Sequence, residues 1–286
     1  MTFAYFPGCK LPFHLSQYDE STRAVLGRLG VGLKEMEFGC CGYPVRDRDG
    51  MAYLYSAARN LALAQDAGLD ILTPCKCCFG SLMKAREYMA GDSQAANEVR
   101  RMLAAEGLTC REDGIRVRHL MQVLDQDVED SGLAGAVIRP LEGLHVAVHY
   151  GCHALRPAKV TQFDNPATPT IFERLVILCG ADTLDYPQRL ECCGNPLWGK
   201  NRELSLSLTQ RKLNGARQGG AELILCACTY CQLQLDEVQR RTDGRLGPPL
   251  PAVLLPQLVG LSLGCSPSEL GIGKNRLRPL ALEQFY

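Results

Sequence analysis

Ten of the fifteen cysteines in this 286-residue chain follow one spacing that occurs twice. The first set is Cys9, the doublet Cys40-Cys41 followed by Gly42, and Cys75 with Cys78 in a C-x-x-C. The second is Cys152, Cys192-Cys193 followed by Gly194, and Cys228 with Cys231. Both doublets stand in the same local text, Cys40-Cys41-Gly42-Tyr43-Pro44 and Cys192-Cys193-Gly194-Asn195-Pro196. Soft thiolates select zinc, copper(I) or iron–sulfur clusters. Structural zinc takes four ligands at tetrahedral angles, typically from two C-x-x-C knuckles. Each set here offers one knuckle, an adjacent doublet and a lone cysteine. Adjacent cysteines tend to point apart, so they suit different irons of an extended cluster better than one small ion. Five thiols per set also exceed the four that a cubane normally takes. The pattern points to two redox clusters held by thiolates; a zinc-stabilised interaction protein without redox function is the bland alternative.

The totals narrow the setting. A formal net charge of zero and no basic patch argue against a nucleic-acid partner. The opening residues, Met1 to Cys9, lack a charged segment followed by a long apolar one, so no secretory signal is expected there. No apolar run approaches the roughly 20 residues that span a bilayer. A soluble, cytoplasmic protein is expected. In a reducing cytosol, paired cysteines read as metal or redox sites rather than as disulfide staples.

The elements that must position these thiols repeat as well. An apolar, β-rich stretch runs into the first cysteine of each set, Thr2–Phe6 before Cys9 and His145–Tyr150 before Cys152. A helix follows in the first half, with Tyr18, Val25 and Leu29 on one face and Gly30 ending it. Its counterpart is Ile171–Leu178, closed by Gly180. After the doublets come helices over Met51–Ala67 and Arg202–Gln218, then short strands at Asp70–Leu72 and Leu223–Leu225 that deliver the C-x-x-C pairs. The Met51–Ala67 stripe and the Leu204/Leu208 face read as core. Strand and helix alternating at this spacing predict βαβ units. The expected fold class is α/β, two pseudo-symmetric domains, each with a small parallel sheet flanked by helices. Residues 90–140 read as a polar, helical insert and linker, which divides the chain into domains at 1–140 and 141–286. Gly244–Pro251 breaks the last long helix before a short apolar tail.

The doubled pattern resembles the cysteine-rich CCG domain found in the B subunit of heterodisulfide reductase. Phe6-Pro7-Gly8-Cys9, His149-Tyr150-Gly151-Cys152-His153-Ala154-Leu155-Arg156-Pro157 and the closing stretch from Leu255 to Gly264 look like that protein too, so the resemblance spans nearly the whole chain. It implies two noncubane [4Fe-4S] clusters with five cysteine ligands each. One falls to Cys9, Cys40, Cys41, Cys75 and Cys78, the other to Cys152, Cys192, Cys193, Cys228 and Cys231. It also implies a catalytic role in which the chain reduces a disulfide resembling that of coenzyme M and coenzyme B, or oxidises thiols. Breaking one S–S bond takes two electrons and yields two thiolates, which suits a duplicated site. Neither a G-x-G-x-x-G fingerprint nor a compact ferredoxin-type cysteine run is present, so electrons must arrive from elsewhere. In the resembling complexes they come from the ferredoxin-like C subunit, supplied in turn by the flavin-bearing A subunit.

Some residues allow more than one reading. Cys77 and Cys226 sit in or beside the C-x-x-C pairs and are alternative ligands; keeping Cys228 preserves the local repeat. Cys110, Cys179 and Cys265 match nothing in the pattern and read as small buried hydrophobes. His153 is a candidate catalytic proton donor to a departing thiolate, against a structural hydrogen bond that holds the cysteine loop. Lys10 and Arg156 are candidate anion partners or plain surface charges. Trp198 is a candidate cleft wall or a packed loop anchor. The run Asn195–Lys200 departs from the glycine-rich loop common in heterodisulfide reductases; if it lines the cleft, the pocket takes a different disulfide. The rival function is non-catalytic electron transfer within a complex, since CCG domains also occur in lactate- and glycolate-oxidising complexes.

Overall fold

The computed structural model describes residues 1–111, 114–128 and 132–286. Strand β1 (Thr2–Tyr5) is followed by α1 (Ser16–Arg28) and β2 (Gly32–Lys34). Helix α2 (Gly50–Asp66) and β3 (Ile71–Thr73) come next, then α3 (Lys76–Ala90), α4 (Gln94–Ala105) and β4 (Val117–His119). The second half runs through β5 (His145–His149), α5 (Ile171–Leu178), β6 (Asp182–Leu184), α6 (Arg202–Gln218) and β7 (Leu223–Cys226). It closes with α7 (Thr229–Gln232), which widens into a π-helical stretch over Leu233–Val238, then β8 (Ala252–Leu254) and α8 (Leu255–Ser262).

The strands form two four-stranded parallel sheets of the same order, β2-β1-β3-β4 and β6-β5-β7-β8. Phe3, Ala4, Tyr5, Ile71 and Leu72, like Val146–Val148 and Leu223–Leu225, are buried. Continuous burial along a strand is what a parallel sheet covered by helices on both faces requires. In both sheets the connections leave the first strand on opposite sides, so the order reverses between β1 and β3, and between β5 and β7. The crevice beyond the carboxyl ends at such a reversal is where open α/β sheets place ligands. The Cys9 and Cys75 loops leave β1 and β3 there, and the Cys152 and Cys228 loops leave β5 and β7.

Two expectations are corrected, and the apolar tail gains a role. The 90–140 segment is not only a helical insert: Val117–His119 adds β4 to the first sheet, with Ile71 opposite Val117 and Thr73 opposite His119. A three-residue strand carrying Arg118 has no readable alternation, and its order comes from pairing with β3. Residues 112–113 and 129–131 of that expected insert lie outside the described residues. The apolar tail is a structural joint: α8 is buried along its length and packs on α1 of the other half, where Arg28 Nη1 donates to the Leu263 carbonyl at 3.4 Å. The Leu204/Leu208 face is not core either, since Leu204 is 46% exposed. The buried face of α6 is Ser205, Thr209, Lys212, Leu213 and Ala216, much of it polar.

Candidate metal centre

All ten motif cysteines converge. Cys9 touches Cys40 (Sγ–Sγ 3.6 Å), Cys40 neighbours Cys41, Cys41 neighbours Cys78 and Cys78 neighbours Cys75. The second set runs in the same order, Cys152, Cys192, Cys193, Cys231, Cys228. The two arcs meet where Cys75 adjoins Cys228. Each doublet therefore bridges two parts of its arc: its first cysteine faces the lone cysteine and its second faces the C-x-x-C.

The glycine after each doublet makes this turn. Gly42 and Gly194 hold φ of +77° and +96°, and a Cβ there would lie 2.7 Å from the Tyr53 carbonyl and 2.4 Å from the Ser205 carbonyl. No other residue tolerates both the left-handed backbone and the close approach. Asp49 and Asn201 then cap α2 and α6 through the Ala52 and Leu204 amides. Asn60 receives the Gly39 amide at 2.9 Å and donates to the Cys40 carbonyl at 3.0 Å. Thr209 donates to the Cys193 carbonyl at 2.9 Å.

The C-x-x-C pairs open α3 and α7, with Cys75 and Cys228 at their N-caps. Their intervening residues cross over. Thr229 of the second half lies 3.0 Å from Cys75 Sγ of the first. Lys76 of the first half donates to the Tyr150 carbonyl of the second at 2.7 Å. Cys77 lies 3.7 Å from Cys228 Sγ and 3.8 Å from His153 Nδ1, and Tyr230 lines the first arc beside Cys9, Lys10 and Tyr43.

Electrostatics in each arc follow from crowding thiols together. Neighbouring Cys41 and Cys9 hold Cys40 down to about 3, and Cys152 and Cys193 hold Cys192 down to about 2. In return, Cys40 pushes Cys41 up to about 12 and raises Cys9 strongly. A set of this kind shares protons because its thiols cannot all ionise side by side. A soft cationic centre removes that conflict, so the donor chemistry fits a thiolate-bound metal group. Within 4.8 Å of one another lie Cys75, Cys77 and Cys228, and separately His149, Cys193 and Cys231.

The remaining candidates separate. His153 joins the site: Arg46 Nη1 lies 2.8 Å from its Nε2, and its Nδ1 lies 3.2 Å from Cys152 Sγ. An arginine only donates, so Nε2 accepts and the ring proton on Nδ1 faces the cysteine sulfurs. Burial, then Arg46 and Lys84, lower His153 to about 4. Cys77 borders both arcs, whereas Cys226 sits within β7, opposite His149 and Leu254. Cys179 and Cys265 are fully buried; Cys110 is only half-buried, against expectation. Lys10 reaches the first arc over the Tyr230 ring, and Arg156 is exposed. Trp198 stacks beneath Arg202 and does not line the second arc, which Pro196 does, so the cleft-wall reading fails. Sequence reasoning missed Arg46, Tyr43, Lys76, Thr229, Tyr230 and Lys212. The only available signal was that residues inside a C-x-x-C on a helix start lie beside whatever its cysteines bind.

The cysteine-rich domain model matches residues 3–83 and 146–236, the two repeats. The chain is 31% identical to the B subunit of the CoB-CoM heterodisulfide reductase of Methanosarcina acetivorans that depends on ferredoxin or F420H2, over 96% of this chain and 93% of that protein. The chain belongs to the CCG-domain family of heterodisulfide reductase B subunits. A further relative is the membrane anchor subunit of 8-methylmenaquinol:fumarate reductase from Wolinella succinogenes, 36% identical over 96% of both chains. A protein of Archaeoglobus profundus, described as like the heterodisulfide reductase B subunit, is 31% identical over 94% of this chain and 92% of its own length. The CCG fold also matches a crystal structure of a hypothetical protein from Helicobacter pylori, with a TM-score of 0.77 at 16% identity. That match covers 96% of this chain and 51% of the other. Among the described residues, no helix is long and apolar enough to cross a membrane.

Proposed function

We propose that this chain is the catalytic B subunit of a heterodisulfide reductase-type complex, an iron–sulfur oxidoreductase that reduces a disulfide or oxidises thiols. The observation that carries the reading is the pair of equal five-thiol arcs meeting at Cys75 and Cys228. Each arc has the soft donors for one noncubane [4Fe-4S] cluster, with Cys9, Cys40, Cys41, Cys75 and Cys78 holding one and Cys152, Cys192, Cys193, Cys228 and Cys231 the other. When bound, the clusters supply electrons and soft sites for sulfur. The chain's own residues shape the ground between them. Tyr43, Cys77, His153 and Tyr230 line it, and Tyr43 lies edge-on to His153 and close to Tyr230. These rings exclude water, and His153 holds its proton on Nδ1, aimed at the sulfurs. Its role is to stabilise a departing thiolate by donating a hydrogen bond from Nδ1, the proton staying on the ring.

The proposed domain division is 1–140 and 141–286, each carrying one cluster. Electrons would come from a ferredoxin-like C subunit and a flavin-bearing A subunit, and the complex would be cytoplasmic. The test is iron, zinc and acid-labile sulfide per chain after purification without oxygen. About eight irons and eight sulfides support the reading, and zinc without sulfide refutes it.

A second reading follows from the Wolinella relative, whose name assigns it to a membrane-anchored quinol:fumarate reductase. There the chain would pass electrons between partners without binding a disulfide. A thiol ligand that leaves the spectrum of the loaded, oxidised protein unchanged would favour it.

A further inference from the structure

The two arcs match in their cysteines but not in what surrounds them. Three positions related by the repeat carry a phenyl, a hydroxyl and an amide at the first arc, and an imidazole and two amines at the second.

The first position is three residues before the lone cysteine of each set, Phe6 or His149. A methyl group built on Gly8 would lie 2.7 Å from Cys78 Sγ and 3.7 Å from Phe6 Cε1. One built on Gly151 would lie 3.4 Å from Cys231 Sγ, 3.8 Å from His149 Nε2 and 4.0 Å from Lys76 Cδ. Phe6 and His149 thus stand at equivalent points beside equivalent cysteines. The His149 ring is buried, lies with Cys193 and Cys231 in one group, and neither of its nitrogens has a hydrogen-bond partner. A buried, orphaned ring N–H is costly. The sulfurs of Cys193 and Cys231 lie within 4.8 Å of it, and the Arg189 carbonyl is the other acceptor that bears on the ring.

The second position lies inside the C-x-x-C pairs, whose residues cross between halves. The first arc receives Thr229 and the second receives Lys76, which is 1% exposed. The third lies on the helix after each doublet, where Asn60 serves the first arc and the fully buried Lys212 the second. Lys212 donates to the Gln188 carbonyl, and the charges bearing on its ammonium are those of Cys193, Cys231, Glu191 and Cys226. Those bearing on Lys76 are Cys231, Cys228, Cys226 and Glu173. Among the described residues that line the first arc the one cation is Lys10, which is only half-buried; Arg46 stands behind Tyr43.

We infer that His149, Lys76 and Lys212 form a tuning shell on the second arc alone, with His149 hydrogen-bonding its sulfurs, so that a cluster held there is easier to reduce than its twin. The inference rests on the proposed reading that both arcs hold iron–sulfur clusters. Its physical basis is that cationic and hydrogen-bonding neighbours in a low-dielectric site favour the more negative, reduced state. Electrons entering the pair therefore gather on the second cluster. His149 acts as a positioning residue, since it reaches the reacting group only through the ligand sulfurs.

The test is a potentiometric titration of the anaerobic, fully loaded protein followed by electron paramagnetic resonance, with His149→Phe and Lys212→Asn copying the first arc. His149→Phe is expected to lower one midpoint and leave the other in place. The expected size is on the order of a tenfold change in electron partition, ~59 mV for a one-electron couple. Lys212→Asn is expected to move the same midpoint in the same direction. In ¹⁵N-histidine protein, pulsed resonance should show two histidine couplings to that centre, one lost in His149→Phe and the other, from the ring beside Cys152, lost in His153→Gln. If His149→Phe fails to load its second arc, the reciprocal Phe6→His must raise the other midpoint. Full iron and sulfide with midpoints unmoved by these variants would overturn the inference and leave the iron–sulfur reading intact. Zinc without sulfide in the unaltered protein would overturn both.

Discussion

Arg46 Nη1 sits 2.8 Å from His153 Nε2, so a residue of the first doublet loop determines which nitrogen of a second-half histidine carries the proton. Arg46 also lies over the Tyr43 ring at 4.1 Å, and Asp47 beside it pairs with Lys200 at 2.8 Å. The loops that follow the two doublets are thereby tied to each other across the site. Replacing Arg46 with Gln removes a positive charge that, after burial, is the main force lowering His153 to about 4. The acid limb of turnover, or of thiol binding, should then move upward from about pH 4 towards the ordinary histidine range. An unmoved limb would separate His153 from the reacting sulfurs.

The choice between Cys228 and Cys226 has a direct readout. Cys228 closes the second arc against Cys231 and Cys75, whereas Cys226 stays in the β7 ladder. Cys228→Ser should lose roughly half of the iron and sulfide, as expected for one of two clusters, and Cys226→Ser should keep it all. Metal analysis of both variants, purified without oxygen, decides the point. The opposite pattern would move the ligand to Cys226.

Gly42→Ala and Gly194→Ala test the turn that presents each doublet. Both glycines combine positive φ with a backbone carbonyl closer than 3.0 Å to any added Cβ. The cost should be on the order of 1–3 kcal/mol each, with a fall in melting temperature of about 2–4 °C per kcal/mol for a chain of this size class. Thermal denaturation followed by circular dichroism reads it. Gly30→Ala, where φ is +68° but nothing lies within 4 Å, should cost less.

Stability should fall on mild acidification. Burial, then Lys76, lowers His119 to about 3, and its Nδ1 accepts the Met121 amide at 3.1 Å. The folded-state value is depressed, so the unfolded chain takes up the proton first as pH drops. The contribution is fully present above the unfolded value near 6.5 and is lost progressively down to about 3. The slope from this group is about 1.4 kcal/mol per pH unit across that window. His119→Gln, which keeps an acceptor for the amide, should flatten the profile of unfolding free energy between pH 6.5 and about pH 3. A slope unchanged by the substitution would mean that His119 is not the group responsible.

Read from the chain alone, the strands that run into Cys9 and Cys152, the helices after the doublets and the ten thiols of the two sets were all legible. Those features are local: a short continuous apolar run, a capped amphipathic stretch and a motif each write themselves into a few consecutive residues. The bounds of the helices at 171–178 and 202–218 agree with the reading. The edge strands were not legible, because Gly32–Lys34, Val117–His119 and Asp182–Leu184 are three residues long and owe their order to a neighbour in the sheet. Nor was the buried face of α6, where Ser205, Thr209 and Lys212 point inward and Leu204 outward, contrary to hydropathy. Propensity yields there to the polar demands of the Cys193 loop.

What the sequence by itself determined is the thiol inventory and its doubling, since both are facts of residue type and spacing. Only the tertiary structure decided that the arcs meet at Cys75 and Cys228, and that Lys76 and Thr229 serve the opposite half. It alone set His149 against Phe6 as unlike neighbours of like cysteines. Such pairings join residues up to 154 positions apart, as Cys75 and Thr229 show, and arise when two sheets pack with their switch points facing each other. No local pattern encodes a distance across that interface.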